Sequence, residues 1–250
     1  MFDSVTIAAI TATFLIAGAV KGVIGLGLPT VSLGLLTAAL DLPTAMALLI
    51  VPSLTTNLWQ AAVGSNVRAI LRRIWPFLLM ATATVWIGAT ALTRLDLSLL
   101  SGLLGALLVA YAGLNLTGVR LSISAQQEVW VGPMFGIANG VLTGMTGSFV
   151  VPGVMFLQAI GLPRDMLVQA MGMLFTASTI ALALALQGNN LLTTQLNIVS
   201  VAALLPAILG MIVGQRIRKR LSEARFRQVF FIVILVLGGY IIASAAFGVR

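Results

Sequence analysis

The sequence predicts an all-α integral membrane protein made of two inverted repeats, each a glycine-broken helical hairpin followed by three transmembrane helices. The first observation is composition: 60% of the 250 residues are hydrophobic, 8% are charged, and the mean hydropathy is +1.11. A soluble protein of this length does not need such a large apolar fraction to form its core. The other two observations are a pair of long, interrupted apolar runs and basic loops that exchange places between the two halves.

Charge and residue usage narrow the classes of function. The formal net charge is +8, but the basic residues lie in short segments between apolar runs, where they orient a membrane protein rather than bind nucleic acid. The chain has no Cys and no His, which removes thiol catalysis, disulfides and the usual zinc and haem ligands. We therefore expect no metal, no cofactor and no catalytic residue.

The first apolar run, residues 5–40, is too long for a single crossing. A continuous helix of that length would rise about 50 Å, whereas the hydrocarbon core is about 30 Å thick. Gly22, Gly25 and Gly27 permit a break, and Pro29 is suited to the first turn of a new helix. The run therefore predicts a helical hairpin. Both a re-entrant hairpin and a pair of short spans remain open.

The remaining apolar segments follow in order. A second long run at residues 129–160 predicts a second hairpin, interrupted by several glycines and by Pro152. Each hairpin precedes three segments long enough to span a bilayer. These spans are residues 45–63, 74–93 and 98–117 in the first half, and 166–186, 192–214 and 229–247 in the second. We accordingly divide the chain into a first repeat (1–117), a linker (118–128) and a second repeat (129–250).

An ordered series of matches indicates that the halves arose by duplication. Each match alone is weak, but the same features recur in the same order in both halves. The matched positions are Lys21-Gly-Val-Ile with Asn139-Gly-Val-Leu, Leu42-Pro43 with Leu162-Pro163, Ala45-Met46 with Ala170-Met171, Ser53 with Ser178, and Pro76 with Pro206.

The loop charges predict that the repeats are inverted. Residues 64–73 are basic while their counterpart, 187–195, carries no charge; residues 216–227 are strongly basic while their counterpart near Arg94 is neutral overall. Basic loops stay on the cytoplasmic side of a membrane. Equivalent loops then lie on opposite sides, so the halves have opposite orientations and both termini lie outside the cytoplasm.

The hairpin tips are the predicted binding site. Irregular backbone inside a membrane survives where it lines a cavity, and we expect the two tips to meet near the midplane. Exposed N–H groups, together with Lys21, the only charge in either hairpin, favour an anion. The predicted substrate-binding residues are Lys21, Gly25, Gly27, Thr30, Ser53, Thr56, Asn57, Gln60, Asn139, Thr143, Thr146, Gly147, Ser148, Gln169 and Ser178.

Structural roles compete with these interpretations. Glycines spaced as Gly18 and Gly22, or Gly136 and Gly140, also let membrane helices pack closely. Ser and Thr hydroxyls in membrane helices often bond to their own backbone. Lys21 could instead extend its ammonium group to the membrane interface.

The glycine-rich motifs point to a known family. The segments Lys21-Gly-Val-Ile-Gly-Leu-Gly-Leu-Pro29 and Gly140-Val-Leu-Thr-Gly-Met-Thr-Gly147, each followed by a span bearing Ala-Met, make the chain resemble the TauE/SafE family, the sulfite exporter or TSUP permeases. The resemblance covers nearly the whole length. It implies transport of sulfur oxyanions or organic acids, such as sulfite, sulfonates or sulfoacetate, across the inner membrane.

These observations together predict a secondary transporter of a small anion that works by alternating access. An anion channel is the first alternative, and a membrane-embedded enzyme or a non-transport membrane subunit is the second. The expected partners are the anionic substrate and the lipid bilayer, with no nucleic acid, and a homodimer is left open. The expected location is the inner (plasma) membrane, as a multi-pass protein.

Overall fold

The structure is a computed structural model that describes residues 2–119, 121–218 and 222–248. These residues form twelve α-helices and one short 3-10 helix, with no β-strand among them, which confirms the predicted all-α class. The helices are α1 (Ser4–Ile24), α2 (Leu28–Ala39), α3 (Leu42–Leu48), α4 (Ile50–Ala62), α5 (Val67–Ala83), α6 (Val85–Ala89), α7 (Leu97–Thr117), α8 (Ala125–Thr146), α9 (Gly153–Ala159), α10 (Arg164–Gly188), α11 (Thr194–Arg218) and α12 (Glu223–Phe247), and the 3-10 helix is Thr90–Thr93.

Six helical segments in the described part of the chain are long and apolar enough to cross a membrane. Five of them correspond to predicted full spans, and the sixth is α1, the first arm of the first hairpin. The remaining predicted span, 45–63, is a pair of helices, α3 and α4, that meet at an angle of 46°. The chain is a membrane protein with about six apolar spans. The six segments are Ser4–Ile24, Val67–Thr93, Leu97–Thr117, Arg164–Gly188, Thr194–Arg218 and Ala224–Phe247.

Two compact units divide the chain, and each is discontinuous in sequence. The first contains Met1–Pro52, Asp96–Gly118 and Leu192–Arg250, and the second contains Ser53–Leu95 and Val119–Leu191. Each unit takes segments from both predicted repeats. The two units are therefore not the two predicted repeats, 1–117 and 129–250. The division into repeats stays a prediction.

In the first unit, α1 packs closely along α11 through glycines. A Cβ placed on Gly18 would overlap the carbonyl oxygen of Ala207, and one on Gly22 would overlap that of Met211. The two helices run parallel, because Gly18 lies against Ala207 and Gly22, one turn later, lies against Met211, also one turn later. The competing interpretation of these glycines as packing positions is thus confirmed.

The first hairpin tip lies beside the end of α11 rather than beside its middle. A Cβ on Gly22 would come within 2.9 Å of the backbone nitrogen of Gln215, next to Arg216. With 21 residues, α1 rises about 31 Å, close to a full crossing. Gly18 and Gly22 thus serve packing and α1 continues unbroken to Ile24, while the meeting of the two tips near the midplane stays a prediction.

The same unit contains an antiparallel pair, α7 and α12. A Cβ on Gly105 would lie 2.7 Å from the carbonyl oxygen of Gly238, and one on Gly238 would lie 2.8 Å from that of Gly105. Farther along the pair, the rings of Tyr111 and Phe231 make an edge contact, with centroids 5.2 Å apart. Small residues again allow close backbone approach.

A bend between α3 and α4 has a local cause and a distant support, both in the first unit. Pro52 has no N–H to donate to the carbonyl of Leu48, and its ring crowds that carbonyl, so the helix breaks. Ser200 on α11 replaces the missing helix hydrogen bonds. Its hydroxyl donates to the Leu48 carbonyl at 2.8 Å and accepts from the Val51 N–H at 3.1 Å. One serine therefore satisfies two backbone groups at the bend.

In the second unit, α8 packs along α5 and α6 in the way that α1 packs along α11. A Cβ on Gly140 would come within 2.6 Å of the Ala81 carbonyl oxygen, and one on Gly136 would lie 2.5 Å from that of Phe77. These helices also run parallel. Phe77 directly follows Pro76, just as Ala207 directly follows Pro206, so matched glycines contact matched positions.

The basic segments are partly helical. Because α5 begins at Val67, Arg68, Arg72 and Arg73 lie in its first two turns rather than in a linker. Arg73 donates to both carboxylate oxygens of Glu128, at 2.8 and 2.5 Å, and to the Ile160 carbonyl at 2.7 Å. It therefore joins both ends of the second hairpin within the second unit. In the other basic segment, Lys219 and Arg220 lie outside the described residues.

Candidate functional site

The first hairpin tip is built by two left-handed glycines in the first unit. Gly25, with φ of 78°, ends α1, and Gly27, with φ of 106°, precedes α2. Glycine is required because other residues are strained at these angles. Lys21, in the last turn of α1, is only 4% exposed, and Thr30 is equally buried. A lysine reaching for the interface would be exposed, so its burial favours the predicted buried charge.

Hydroxyl groups hold the second hairpin tip in the second unit. Thr143 donates to the Ser148 carbonyl at 2.9 Å, and Thr146 donates to the Leu142 carbonyl at 2.7 Å. Gly147 ends α8 in the left-handed conformation, with φ of 72°. These threonines bond to the backbone of their own hairpin, as the structural alternative proposed. Their contact with substrate stays a prediction.

Asn139 occupies a different position, two turns before the tip. It is fully buried, and its side-chain oxygen accepts the backbone N–H of Gly153 at 2.9 Å. That bond fixes the orientation of the amide, because the oxygen must face the N–H donor. No described residue bonds to its amide nitrogen, Nδ2. A buried donor is thus held in place with no acceptor in the part of the chain that the structure describes.

A second group of polar side chains joins α4 to α10. Asn57 Nδ2 donates to Ser53 Oγ at 2.9 Å, and Ser53 Oγ lies 3.4 Å from Thr179 Oγ1. Thr56, on the same side of α4, is also buried. The buried Ser178 hydroxyl has no hydrogen-bond partner among the described residues. The predicted polar face of α4 therefore packs inside the protein.

Two glutamines tie the same helices together reciprocally. Gln60 on α4 donates to the Val168 carbonyl at 2.8 Å, and Gln169 on α10 donates to the Ala61 carbonyl at 3.0 Å. These bonds give both side chains a structural role as links between helices. The buried side-chain oxygen of Gln169 has no partner in the described part of the chain. Substrate contact by either glutamine stays a prediction.

The predicted site residues are distributed over both units. Lys21, Gly25, Gly27 and Thr30 belong to the first unit, and the others belong to the second. Sequence reasoning missed three buried hydroxyls of the first unit, those of Thr37, Ser101 and Tyr111, which have no hydrogen-bond partner among the described residues. Each stands singly in an apolar stretch, so no pattern distinguished them.

Apolar spans, glycine-ended hairpins and buried polar side chains define a polytopic α-helical membrane protein. The family model described as "Sulfite exporter TauE/SafE" matches residues 10–241. The chain belongs to this family, which confirms the resemblance noted in the sequence, and the family is one of transporters rather than enzymes. Neither a curated protein nor a solved structure matches the chain significantly.

Proposed function

We propose that this protein is a secondary transporter that carries a small oxyanion, sulfite or an organosulfonate such as sulfoacetate, across the inner membrane by alternating access. The observation that carries the proposal is the buried amide nitrogen of Asn139, a fixed donor without an acceptor among the described residues. Leaving such a group unsatisfied costs about 1–3 kcal/mol. An anionic oxygen would satisfy it, and membership of the TauE/SafE family supports a sulfur-containing substrate.

The surroundings of Asn139 fit an oxygen-rich ligand. Its bonding partner Gly153 packs against Leu174 of α10, since a Cβ on Gly153 would lie 2.9 Å from Leu174 Cδ2. Ser178 follows one turn later on α10 and offers a second buried hydroxyl that has no partner in the described chain. An amide N–H and a hydroxyl both donate to sulfonate or sulfite oxygens. We place the core of the substrate site here, in the second unit.

The parallel helix pairs support the proposed inverted repeats. In the first unit, α1 runs alongside α11 toward the end that carries Arg216 and Arg218. In the second unit, α8 runs alongside α5 away from the end that carries Arg68 and Arg72. With both basic ends in the cytoplasm, α1 and α8 cross the membrane in opposite directions.

The test is flux into proteoliposomes with radiolabelled sulfite and sulfoacetate, comparing the wild type with Asn139→Asp. Aspartate keeps the acceptor for the Gly153 N–H but replaces the amide donor with an oxygen that carries negative charge. We expect anion flux to fall at least about 10-fold, since one donor to a charged group is worth about 1.5–3 kcal/mol. Asn189→Asp, at the end of α10, is the matched control and should transport normally. Unchanged flux in Asn139→Asp would refute this site.

The same preparation separates a carrier from a channel. A carrier saturates with substrate and supports exchange of external for internal anion, because each cycle moves a bound substrate. A channel gives a non-saturating current that follows the voltage. Saturable exchange supports the proposal, and an ohmic anion current rejects it in favour of the channel.

A further inference from the structure

The first unit contains a cavity of about 260 Å³ that no step of the proposed anion transport uses. It lies where the last turn of α2, the first turn of α7 and the last turns of α12 come together. A water molecule takes up about 30 Å³ in the liquid, so the cavity has room for a small ion with several waters. Its polar lining consists mainly of Thr37, Asp96, Ser98, Ser101 and Ser244.

The chemistry of the lining favours a cation. The polar side chains facing the cavity present oxygen atoms, and among the described lining residues none carries a positive charge. Asp96 contributes the one carboxylate. Two helices, α2 and α12, reach the cavity with their carboxyl ends, where backbone carbonyls carry partial negative charge, and the amino end of α7 that also reaches it is capped by Asp96 itself.

Two of the lining hydroxyls are independent evidence for a ligand. Thr37 is 3% exposed and Ser101 is 4% exposed, and neither hydroxyl has a hydrogen-bond partner among the described residues. By contrast, the Ser98 hydroxyl already has a partner within the protein, because it donates to the Ala245 carbonyl at 2.6 Å. Buried polar groups normally find partners, so two orphaned hydroxyls at one cavity require an explanation.

We infer that this cavity binds a monovalent metal cation, Na⁺, through the Asp96 carboxylate, the Thr37 and Ser101 hydroxyls and retained water. A single carboxylate suits a monovalent ion, whereas Ca²⁺ sites use more oxygen ligands and usually several carboxylates. Carboxyl ends of interrupted helices coordinate Na⁺ in transporters, and α2, the second arm of the first hairpin, is such a helix. The site would supply the second ion that a coupled carrier needs, yet its binding of Na⁺ does not require the anion.

The experiment measures binding of radioactive Na⁺ to purified, detergent-solubilised protein, with choline replacing Na⁺ and with no anionic substrate added. The informative variants are Asp96→Asn, Thr37→Val and Ser101→Ala. Asn caps a helix as well as Asp does, so Asp96→Asn removes charge while keeping the bond to the Ser98 N–H of α7. We expect each variant to weaken Na⁺ binding about 10-fold or more.

Matched controls change the same groups elsewhere. Asp41 caps α3 as Asp96 caps α7, because its carboxylate accepts the Thr44 N–H at 2.8 Å. The Thr82 hydroxyl donates to a carbonyl of its own helix, α5. Neither residue lines the cavity. Asp41→Asn and Thr82→Val should therefore bind Na⁺ like the wild type. Folding of each variant is checked by gel filtration and thermal unfolding, and Ser101→Ala provides the decision if Asp96→Asn is unstable. Absent Na⁺ binding, or binding unaffected by all three variants, would overturn the inference.

Discussion

At the scale of the residue, Lys21 is the side chain whose burial most needs a reason. Holding an ammonium group away from water costs several kcal/mol, and the protein nevertheless keeps it 4% exposed beside the first hairpin tip. We predict that Lys21→Met, which keeps length but removes charge, weakens anion binding by about 2–4 kcal/mol, the scale for losing one partner of a desolvated charge pair. Half-saturation of flux in proteoliposomes measures the effect.

Stability distinguishes this role from a structural one. A purely structural role predicts that Lys21→Met unfolds at a lower temperature with unchanged half-saturation, whereas a role in binding predicts weaker anion binding by protein that is still folded. Lys21→Arg keeps the charge with a different geometry and should recover part of the affinity. If Lys21→Met transports with unchanged half-saturation and rate, Lys21 has no part in binding the anion.

At the scale of the element, the bend between α3 and α4 depends on Ser200. We predict that Ser200→Ala lowers the free energy of unfolding by about 1–3 kcal/mol, because the Leu48 carbonyl and the Val51 N–H both lose a buried partner. Ser32→Ala is the control: Ser32 is also fully buried, but its hydroxyl bonds only to carbonyls of its own helix, α2. Denaturant unfolding in detergent measures both.

A double variant tests the stated cause of the bend. Pro52→Ala restores an N–H that can bond to the Leu48 carbonyl. In the Pro52→Ala background, Ser200→Ala should therefore lower the free energy of unfolding by less than it does in the wild type. Such non-additivity is expected only where two residues serve the same backbone group. Strict additivity of the two changes would show that Pro52 does not cause the break.

At the scale of the whole molecule, the prediction concerns membrane topology. The natural chain has no Cys, so single cysteines can be introduced without removing others. Ser65→Cys and Ser222→Cys mark the two basic segments, and Leu95→Cys and Gln187→Cys mark the neutral ones; all four positions are exposed. A membrane-impermeant maleimide should label the first pair from the cytoplasmic side and the second pair from the other side. Labelling of Ser65→Cys and Ser222→Cys from opposite sides would reject the inverted repeats.

The sequence by itself determined the features that depend on neighbouring residues. Apolar length predicted the spans, and Gly25, Gly27 and Pro29 predicted the end of α1 and the start of α2. Each of these follows from local backbone geometry, hydrogen bonding or hydrophobicity within a few residues. The same local signals placed polar residues along α4 and in the hairpins but did not say what they contact.

The tertiary structure alone decided which partners these groups meet. Ser200 supports a bend 152 residues earlier in the chain, Gln60 and Gln169 exchange bonds between helices, and Gly153 orients Asn139. It also decided that Gly18 and Gly22 lie against the backbone of α11, inside a helix that ends only at Ile24. In a sequence, a glycine that adopts a left-handed backbone conformation cannot be told from a glycine that lets a neighbouring helix pack closely. Only the packed partner distinguishes them, since a hydrogen bond or a van der Waals contact requires atoms that the chain brings together by folding.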